Sequence, residues 1–552
     1  MTASPAADAA AALLSDLVAH GVRDLVLAPG SRSQALALAA TALHRAGALR
    51  LHVRIDERVA GFTALGIARE SGAPVAVVCT SGTAAGNLLP AVMEAFHAGI
   101  PLLLLTADRP PELRGIAANQ ATIQPGIFGP FVRWAHDAAV PGDGTDTDLG
   151  QRAINAALGL SGTGLPGVAG PVQLNLPYRE PLSGEVAVQA EPGPLPVGPT
   201  PETTLVARGP RTVVIAGADA GADAEELSFA GGWPLIAEVV SGARFGRLVV
   251  HGYRALLRDP HLGGRIERAL VLGHPTLSRE VTALLSRPEV EVIAVRAGGE
   301  ALNLNGRTAA AEALTVAPGE TDRAWLGEWM TASAASAVDL SEAAPDQAGL
   351  ASDDKAARLG AVRAELDAVR RPLDRQLLAD AVWRATWPHD RLMFGSSRLV
   401  RIADQVLGGK RVPVHANRGL AGIDGTIATA TGIAVASQAD GAPGVTRVLL
   451  GDLAFLHDVG AMLLPADEPA PRLQVIVGND GGGTIFDGLE VAASAPAGDL
   501  DRAFYTPQNV GLEQLAAAYG WAYSKVTTRS ALDQALTAPV TGPQLIEVPL
   551  ER

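Results

Sequence analysis

Residues 447–458 read RVLLGDLAFLHD, and residues 472–490 read RLQVIVGNDGGGTIFDGLE. Val448–Leu450 is a short apolar run ending in Gly451-Asp452, and Leu473–Val477 is another ending in Asn479-Asp480. Apolar runs of this length, closed by Gly and Asp, predict strands buried on both faces of a parallel sheet, with a helix between them. Ligands collect beyond the carboxyl ends of such strands. Asp452 and Asp480 therefore offer hard oxygen ligands side by side, and Gly481, Gly482 and Gly483 let backbone carbonyls and amides approach closely. That donor set suits Mg²⁺ holding a diphosphate. Asp452 acting only as a helix cap is the plainer alternative.

At 552 residues the chain exceeds one core, and 48% hydrophobic residues supply ample material for burial. A net charge of −14 argues against nucleic acid or an anionic membrane surface as the main partner. Apolar runs such as LLLLTA (102–107) are strand-sized, far short of a bilayer span. The start, MTASPAADAAAALL, lacks a basic region and carries Asp8, which makes a poor signal peptide. The single Cys79 fits a reducing cytoplasm, and its apolar surroundings predict a small buried residue.

Outward from the deciding stretch, the first third repeats the strand–helix pattern of a parallel α/β unit. Strands are expected at DLVLA, LRLHVRIDE, PVAVVCT and PLLLLTADRP. Their carboxyl ends carry Ser31 and Arg32, Glu57, Ser81-Gly82-Thr83, and Arg109, four unusual ends on one sheet edge. The Pro-rich EPGPLPVGPTPE (191–202) reads as an inter-domain linker. A second α/β segment begins at TVVIAGADAGADAEEL, which lacks G-x-G-x-x-G spacing and is read as a degenerate Rossmann-like domain without its own nucleotide. Arg279 is the residue there expected to face a site. The polar stretch near 338–356 marks that segment's end, and strand–helix alternation resumes at RLMFGSS and RVPVHANRGLAGIDG, closing with QLIEVPL. The expected division is 1–190, 191–360 and 361–552. No short tandem repeat is visible.

The spacing from Gly451-Asp452-Leu453 to Asn479-Asp480 resembles the motif by which thiamine-diphosphate enzymes hold their cofactor, although that family usually ends the motif in Asn. Either Asn479 or Asp480 could then reach the metal. Enzymes of the 2-oxo acid decarboxylase type have a pyrimidine domain, a central domain and a diphosphate domain. They carry a glutamate at a strand end of the first, matched here by Glu57 in DERVAG. Within that class the sequence resembles the 2-succinyl-5-enolpyruvyl-6-hydroxy-3-cyclohexene-1-carboxylate synthase family of menaquinone biosynthesis. The resemblance rests on APGSRSQ (28–34), DERVAG (56–61), SGTAAGN (81–87), TADRPPEL (106–113), ANQATIQPGIF (118–128), GSSRLVR (395–401) and NRGLAGIDGTIATATG (417–432). The middle segment matches weakly, and Arg279 stands where the family is expected to carry Lys.

This resemblance implies an α/β fold of three domains, each a parallel sheet flanked by helices. It implies thiamine-diphosphate-dependent decarboxylation of 2-oxoglutarate and conjugate addition of the resulting four-carbon carbanion to isochorismate. Glu57 would activate the cofactor by bonding its aminopyrimidine. The cofactor would be bound by Glu57, Ser81, Gly82, Thr83, Gly395, Ser396, Ser397, Gly422, Ile423, Gly451, Asp452, Leu453, Asn479, Ile485 and Phe486, with Ile485 keeping it bent. Mg²⁺, or Mn²⁺ in its place, would be held by Asp452, Asn479 or Asp480, and the Gly482 carbonyl. Ser31, Arg32, Arg109, Asn119, Gln120, Arg279, Ser397, Arg401 and Arg418 would bind substrates. Arginines gathered in Gly/Ser-rich strand-end loops of an acidic protein fit two dicarboxylates through bidentate pairing. The family's active sites lie between subunits, which implies a dimer or a dimer of dimers. The rivals are another thiamine-dependent 2-oxo acid decarboxylase or acetolactate-synthase-like carboligase, a nucleotide-binding oxidoreductase, and a catalytically silent homologue. The arginine-lined loops, the missing glycine fingerprint and the filled catalytic positions count against them in turn.

Overall fold

The computed structural model describes residues 4–144, 146–160, 167–295, 298–341 and 344–552. The first three residues of the N-terminal segment and residues 342–343 of the polar stretch near 338–356 lie outside this set. Strands β1 (Asp24–Leu27), β2 (Arg50–Val53), β3 (Val75–Cys79), β4 (Leu102–Asp108), β5 (Trp134–Asp137) and β6 (Val172–Pro177) form a parallel sheet ordered β2-β1-β3-β4-β6-β5. The central strands β1, β3, β4 and β6 are buried along their whole length, as expected of a sheet covered on both faces.

The middle segment pairs β7 (Thr203–Val206) with a later strand and builds a sheet from β8 (Thr212–Ala216), β9 (Leu235–Ala237), β10 (Arg268–Leu272), β11 (Glu291–Val295) and β12 (Ala309–Ala311). The pairing partner of β7 is β13 (Ala313–Val316), and the sheet order is β12-β11-β10-β8-β9. The last segment supplies β14 (Arg391–Phe394), β15 (Val414–His415), β16 (Thr446–Gly451), β17 (Leu473–Asn479), β18 (Ala522–Lys525) and β19 (Gln544–Pro549). Their order is β15-β14-β16-β17-β19-β18. Counted from its own first strand, the last sheet has the same permutation as the first. The two units repeat one winding that leaves no trace as a sequence repeat.

These two units share one hydrophobic core, in which Phe62, Leu65 and Ile67 meet Ile427, Ile433, Val448 and Phe455. The helices Glu57–Ser71 and Thr426–Ser437, each following the second strand of its sheet, cross there backbone to backbone. A Cβ on Gly66 would lie 2.0 Å from the Thr429 carbonyl oxygen, and one on Gly432 would lie 2.1 Å from the Thr63 carbonyl oxygen. Polar contacts continue the interface: Glu468 accepts from Val53 N at 2.6 Å and pairs with Arg54 at 2.9 Å. Buried Asp458 accepts from the amides of Ile427 (2.8 Å) and Ala428 (3.0 Å), capping the second helix, and lies 3.5 Å from Arg58.

The stretch 191–202 runs between the last strand of the first unit and the first strand of the middle one. It carries no helix or strand, but it is strapped to the first unit. Gly193 N donates to Val18 O at 3.2 Å, Arg23 Nη2 donates to Gly193 O at 2.5 Å, and Leu195 packs over Gly21. Prolines prevent regular structure here without preventing docking. No helix among the described residues is long and apolar enough to cross a membrane.

Candidate active site

Both outer sheets gather their unusual residues at the carboxyl ends of four adjacent strands. In the first sheet these ends carry Glu57 (after β2), Ser31 and Arg32 (after β1), Ser81 (after β3) and Arg109 (after β4). Glu57 is the first residue of its helix, behind the Asp56 cap, whose Oδ1 accepts from Arg58 N (2.8 Å) and Val59 N (3.3 Å). Half-buried, it faces the end of β3, where burial first and its own charge second push the Cys79 thiol well above its ordinary range. Arg109 is buried and donates to Ser81 Oγ, which donates to Gln120 O at 3.0 Å. The Gln120 side chain returns a bond from Nε2 to Ser81 O at 2.9 Å. Gly82 N donates to Gln124 Oε1 at 3.1 Å, and Thr83 opens the following short helix. Arg32 donates to Tyr178 O at 3.1 Å. Burial, then the nearby Arg32 charge, pulls the Arg109 pKa down. Ser31, Asn119 and Gln120 are exposed at the rim.

The last sheet presents Arg418 (after β15), Ser396 and Ser397 (after β14), Asp452 (after β16), and Asn479 and Asp480 (ending β17 and just beyond). A cavity of about 140 Å³ opens here, lined by Ser396, Ser397, Ile423, Gly451, Asp452, Leu453, Asp480, Gly482, Ile485 and Phe486 among others. Gly451 and Gly478 sit opposite each other in the β16–β17 register, so the acidic residues that follow meet at one edge. Asp452 is buried, and burial first and the Asp480 charge second raise its pKa to about 6. Gly482 adopts φ +135°, and a Cβ there would lie 2.3 Å from Tyr505 O, so only glycine brings this backbone to the cavity wall. Its N–H bonds to Asp452, and its carbonyl accepts from Thr484 N at 2.9 Å. Phe486 meets Phe504 edge-on at 5.4 Å. Ser397 caps the helix Arg398–Val406 by accepting from Leu399 N. Gly395 lies behind the cavity against Leu450, and Gly422 faces a neighbouring cleft beside Phe62 and Glu94.

Asn479 turns its Nδ2 to Glu547 Oε1 at 3.0 Å, and its Oδ1 takes a contact from Gly481 N at 3.4 Å, so its side chain is not part of the cavity lining. Asp480 is on the lining, and its Oδ2 accepts from Arg375 Nη2 (2.8 Å) and Thr484 Oγ1 (2.5 Å). Arg375 lies 105 positions before Asp480, and sequence reading gave no signal for the pair. The acceptor for Asn479 and the partner of Arg418, Thr276, were equally invisible.

Arg279 is exposed and bridges to Glu490 at 3.2 Å rather than entering the cavity. The Arg401 side chain makes no hydrogen bond or ion pair with any described residue. Desolvation, then Arg254 and Arg279, push its guanidinium below the ordinary range. Arg32, Arg109 and Arg418 bond with their guanidinium groups only to neutral atoms. Among the described residues, none before Ser396 lines this cavity, so Glu57, Ser81 and Arg109 are not part of its wall.

A family model described as thiamine pyrophosphate enzyme, N-terminal TPP binding domain, matches residues 7–127. A 2-succinyl-5-enolpyruvyl-6-hydroxy-3-cyclohexene-1-carboxylate synthase from Leifsonia xyli subsp. xyli is 54% identical, over 100% of this chain and 97% of its own. The chain belongs to this synthase family. A second relative bearing the same name, from Clavibacter michiganensis subsp. michiganensis, is 50% identical over 100% of this chain and 97% of its own. The crystal structure of benzoylformate decarboxylase from Polynucleobacter necessarius superposes with a TM-score of 0.66 at 16% identity, covering 100% of this chain and 99% of that one. The protein is thus a thiamine-diphosphate-dependent enzyme with the α/β fold of that class. The nucleotide-binding oxidoreductase reading falls away.

Proposed function

We propose that the protein carries out the reaction for which its family is named, joining a four-carbon unit from decarboxylated 2-oxoglutarate to isochorismate. The observation that carries this reading is the set of arginines at both half-sites, Arg32, Arg109, Arg401 and Arg418, whose guanidinium groups have no carboxylate at hydrogen-bond distance. Cations at strand ends without a hydrogen-bonded acid are suited to substrates that bring two carboxylates each.

The residues present fit the cofactor's diphosphate and metal. Two carboxylates, Asp452 and Asp480, face one small cavity, where burial first and their mutual repulsion second lift the Asp452 pKa to about 6, and a divalent cation would relieve that repulsion. Asp452 and oxygens of the Asn479–Gly482 loop would hold Mg²⁺ or Mn²⁺, while the Ser396–Ser397 turn would meet the diphosphate. Thiamine diphosphate, when bound, supplies the electron sink that makes loss of CO₂ feasible. Glu57 would hold and move the proton at the aminopyrimidine ring nitrogen. Ile485 and Phe486 would exclude water from the reacting face. Ser31, Arg32, Arg109, Asn119, Gln120, Ser397, Arg401 and Arg418 would orient the substrates, with Arg279 at the outer rim.

Because neither half-site is complete alone, the active site forms between copies of the chain, in a dimer or a dimer of dimers. The reading divides the chain at 1–190, 191–360 and 361–552 and places the enzyme in the cytoplasm. The test is loss of isochorismate absorbance with thiamine diphosphate, Mg²⁺ and 2-oxoglutarate, leaving out each component in turn. Loss that needs every component and fails with pyruvate supports the reading. Pyruvate consumption without isochorismate loss refutes it and makes the enzyme an acetolactate-type carboligase.

A further inference from the structure

Arg418 is buried, and its fixed partners are uncharged and come from other parts of the fold. Nε donates to Thr276 Oγ1 at 2.9 Å, Nη2 to the Thr276 carbonyl at 3.1 Å, and Nη1 to Ser396 Oγ at 3.2 Å. Thr276 lies in the loop beyond β10, outside any helix or strand. It is held by Glu238, the residue after β9, which is 0% exposed. Glu238 Oε2 accepts from Thr276 N at 3.0 Å, and Oε1 accepts from Leu277 N at 2.7 Å.

The far side of the Arg418 loop is held in the same way. Buried Glu94, on the helix Leu89–Ala98, accepts from Gly419 N on one oxygen and Leu420 N on the other, both at 2.8 Å. Neither glutamate hydrogen-bonds a cation. Arg69 stands 3.8 Å from Glu94. The cation whose charge acts on Glu238 is Arg418 itself, beyond hydrogen-bond distance, while Arg244 and Arg254 are engaged by Asp404 at 3.3 and 2.6 Å.

Burying a carboxylate without a bonded cation is costly, and each is stabilised instead by two consecutive backbone N–H groups. Such a pair of bonds fixes the orientation of two peptide planes. A glutamine could accept one of these bonds but would turn an NH₂ toward the other donor. Supporting Arg418 through hydroxyls and a carbonyl leaves its guanidinium without a hydrogen-bonded acid among the described residues, while Glu238 and Glu94 act on its charge only from beyond hydrogen-bond distance, so the groups that bond it directly carry no charge to compete with an incoming acid.

We propose that Glu238 and Glu94 are positioning residues that hold Arg418 ready for a substrate carboxylate, Glu238 through Thr276 and Glu94 through the Gly419–Leu420 peptides. The inference rests on Arg418 being a substrate-binding residue. It gives the middle unit a part in substrate recognition.

The test uses the full-length enzyme at saturating thiamine diphosphate and Mg²⁺, with KM measured separately for 2-oxoglutarate and isochorismate. Thr276→Ala should raise one KM about tenfold, as for loss of a charge-assisted bond, with kcat within about threefold and the other KM unmoved. Thr276→Ser should restore that KM. Glu238→Gln should raise the same KM, and combining it with Thr276→Ala should add little, since both act through one contact. Arg418→Ala raising a KM that Thr276→Ala and Glu238→Gln leave within about twofold would overturn the proposal while keeping Arg418 in the site. Arg418→Ala leaving both KM values unchanged would remove the reading on which it rests. A urea midpoint lowered by Glu238→Gln with no change in KM would also overturn it, leaving Glu238 as packing alone.

Discussion

Replacing Gly66 with alanine isolates what holds the two outer units together. In a helix interior alanine is better than glycine by about 1 kcal/mol, so helix propensity alone predicts stabilisation. The structure predicts the opposite. The new Cβ would stand 2.0 Å from Thr429 O, 2.8 Å from Thr429 C and 3.0 Å from Ile433 N, all backbone atoms of the facing helix. No rotamer relieves such a contact, and the helices must part by about 1 Å in a close-packed core. A gap of ~1 Å forfeits a sizeable part of the dispersion contacts between the surrounding side chains. Overpacking of this kind costs typically about 1–3 kcal/mol, and obstruction by backbone belongs at or above the top of that range. After the propensity gain, a net loss of about 2–4 kcal/mol is expected. Urea unfolding followed by circular dichroism should show the midpoint falling. Gly432→Ala should behave alike, with its Cβ 2.1 Å from Thr63 O, and the double variant should lose less than the sum, because the first substitution already separates the helices. Gly360, exposed in the helix Lys355–Arg370 with nothing within 4 Å, is the control, and Gly360→Ala should gain about 0.5–1 kcal/mol. A Gly66→Ala protein as stable as its parent would refute the reasoning.

Glu57→Gln should lower turnover about 100-fold or more while thiamine diphosphate still binds, and activity above about 10% would remove Glu57 from the mechanism. Mixing inactive Glu57→Gln and Asp452→Ala chains should recover about a quarter of wild-type activity, since half of randomly assembled dimers are hybrids with one intact site, whereas a site within one chain would recover none. Titrating Mg²⁺ into Asn479→Ala and Asp480→Ala and reading cofactor fluorescence quenching should separate the two donors. Weakening by Asp480→Ala alone is expected from its place on the cavity wall, and weakening by Asn479→Ala alone would show that its amide turns inward when metal binds. Burial raises the Asp458 pKa to about 6, above its unfolded value, so the folded state holds the proton more tightly. Stability should therefore fall as pH rises from about 4 through 6, by at most about 3 kcal/mol. Asp458→Asn should remove that slope in urea midpoints, and an unchanged slope would assign it to other groups.

The strand ends were legible because a buried parallel strand announces itself as an apolar run and its terminating residues are adjacent in sequence. Asp452, Glu57, Arg32 and Arg109 fall at the expected edges for this reason. Glu57 also belongs to a helix's first turn, because the Asp56 cap lets the helix begin directly beyond the strand end. What escaped was long-range pairing. Arg375 with Asp480, Thr276 with Arg418, and Glu94 with the Gly419–Leu420 peptides are each set by topology, which local pattern does not encode. The Pro-rich stretch shows the same limit: its composition excludes regular structure, but says nothing of Gly193 and Leu195 lying against the end of the N-terminal helix and Gly21. The repeated winding was hidden because two sheets can share a permutation while sharing almost no residues.

That repeated winding bears on how copies of the chain can associate. One unit carries Glu57 at its strand ends and the other carries Asp452 and Asp480, but the two have the same strand plan. They cross at Gly66 and Gly432, away from the strand ends that carry those acids. A second chain turned by half a revolution can set its first unit against this chain's last, and the same motion sets its last against this chain's first. In the proposed dimer, closure would complete two centres at once and strand neither half. Active centres would then equal chains in number, whatever the size of the final assembly.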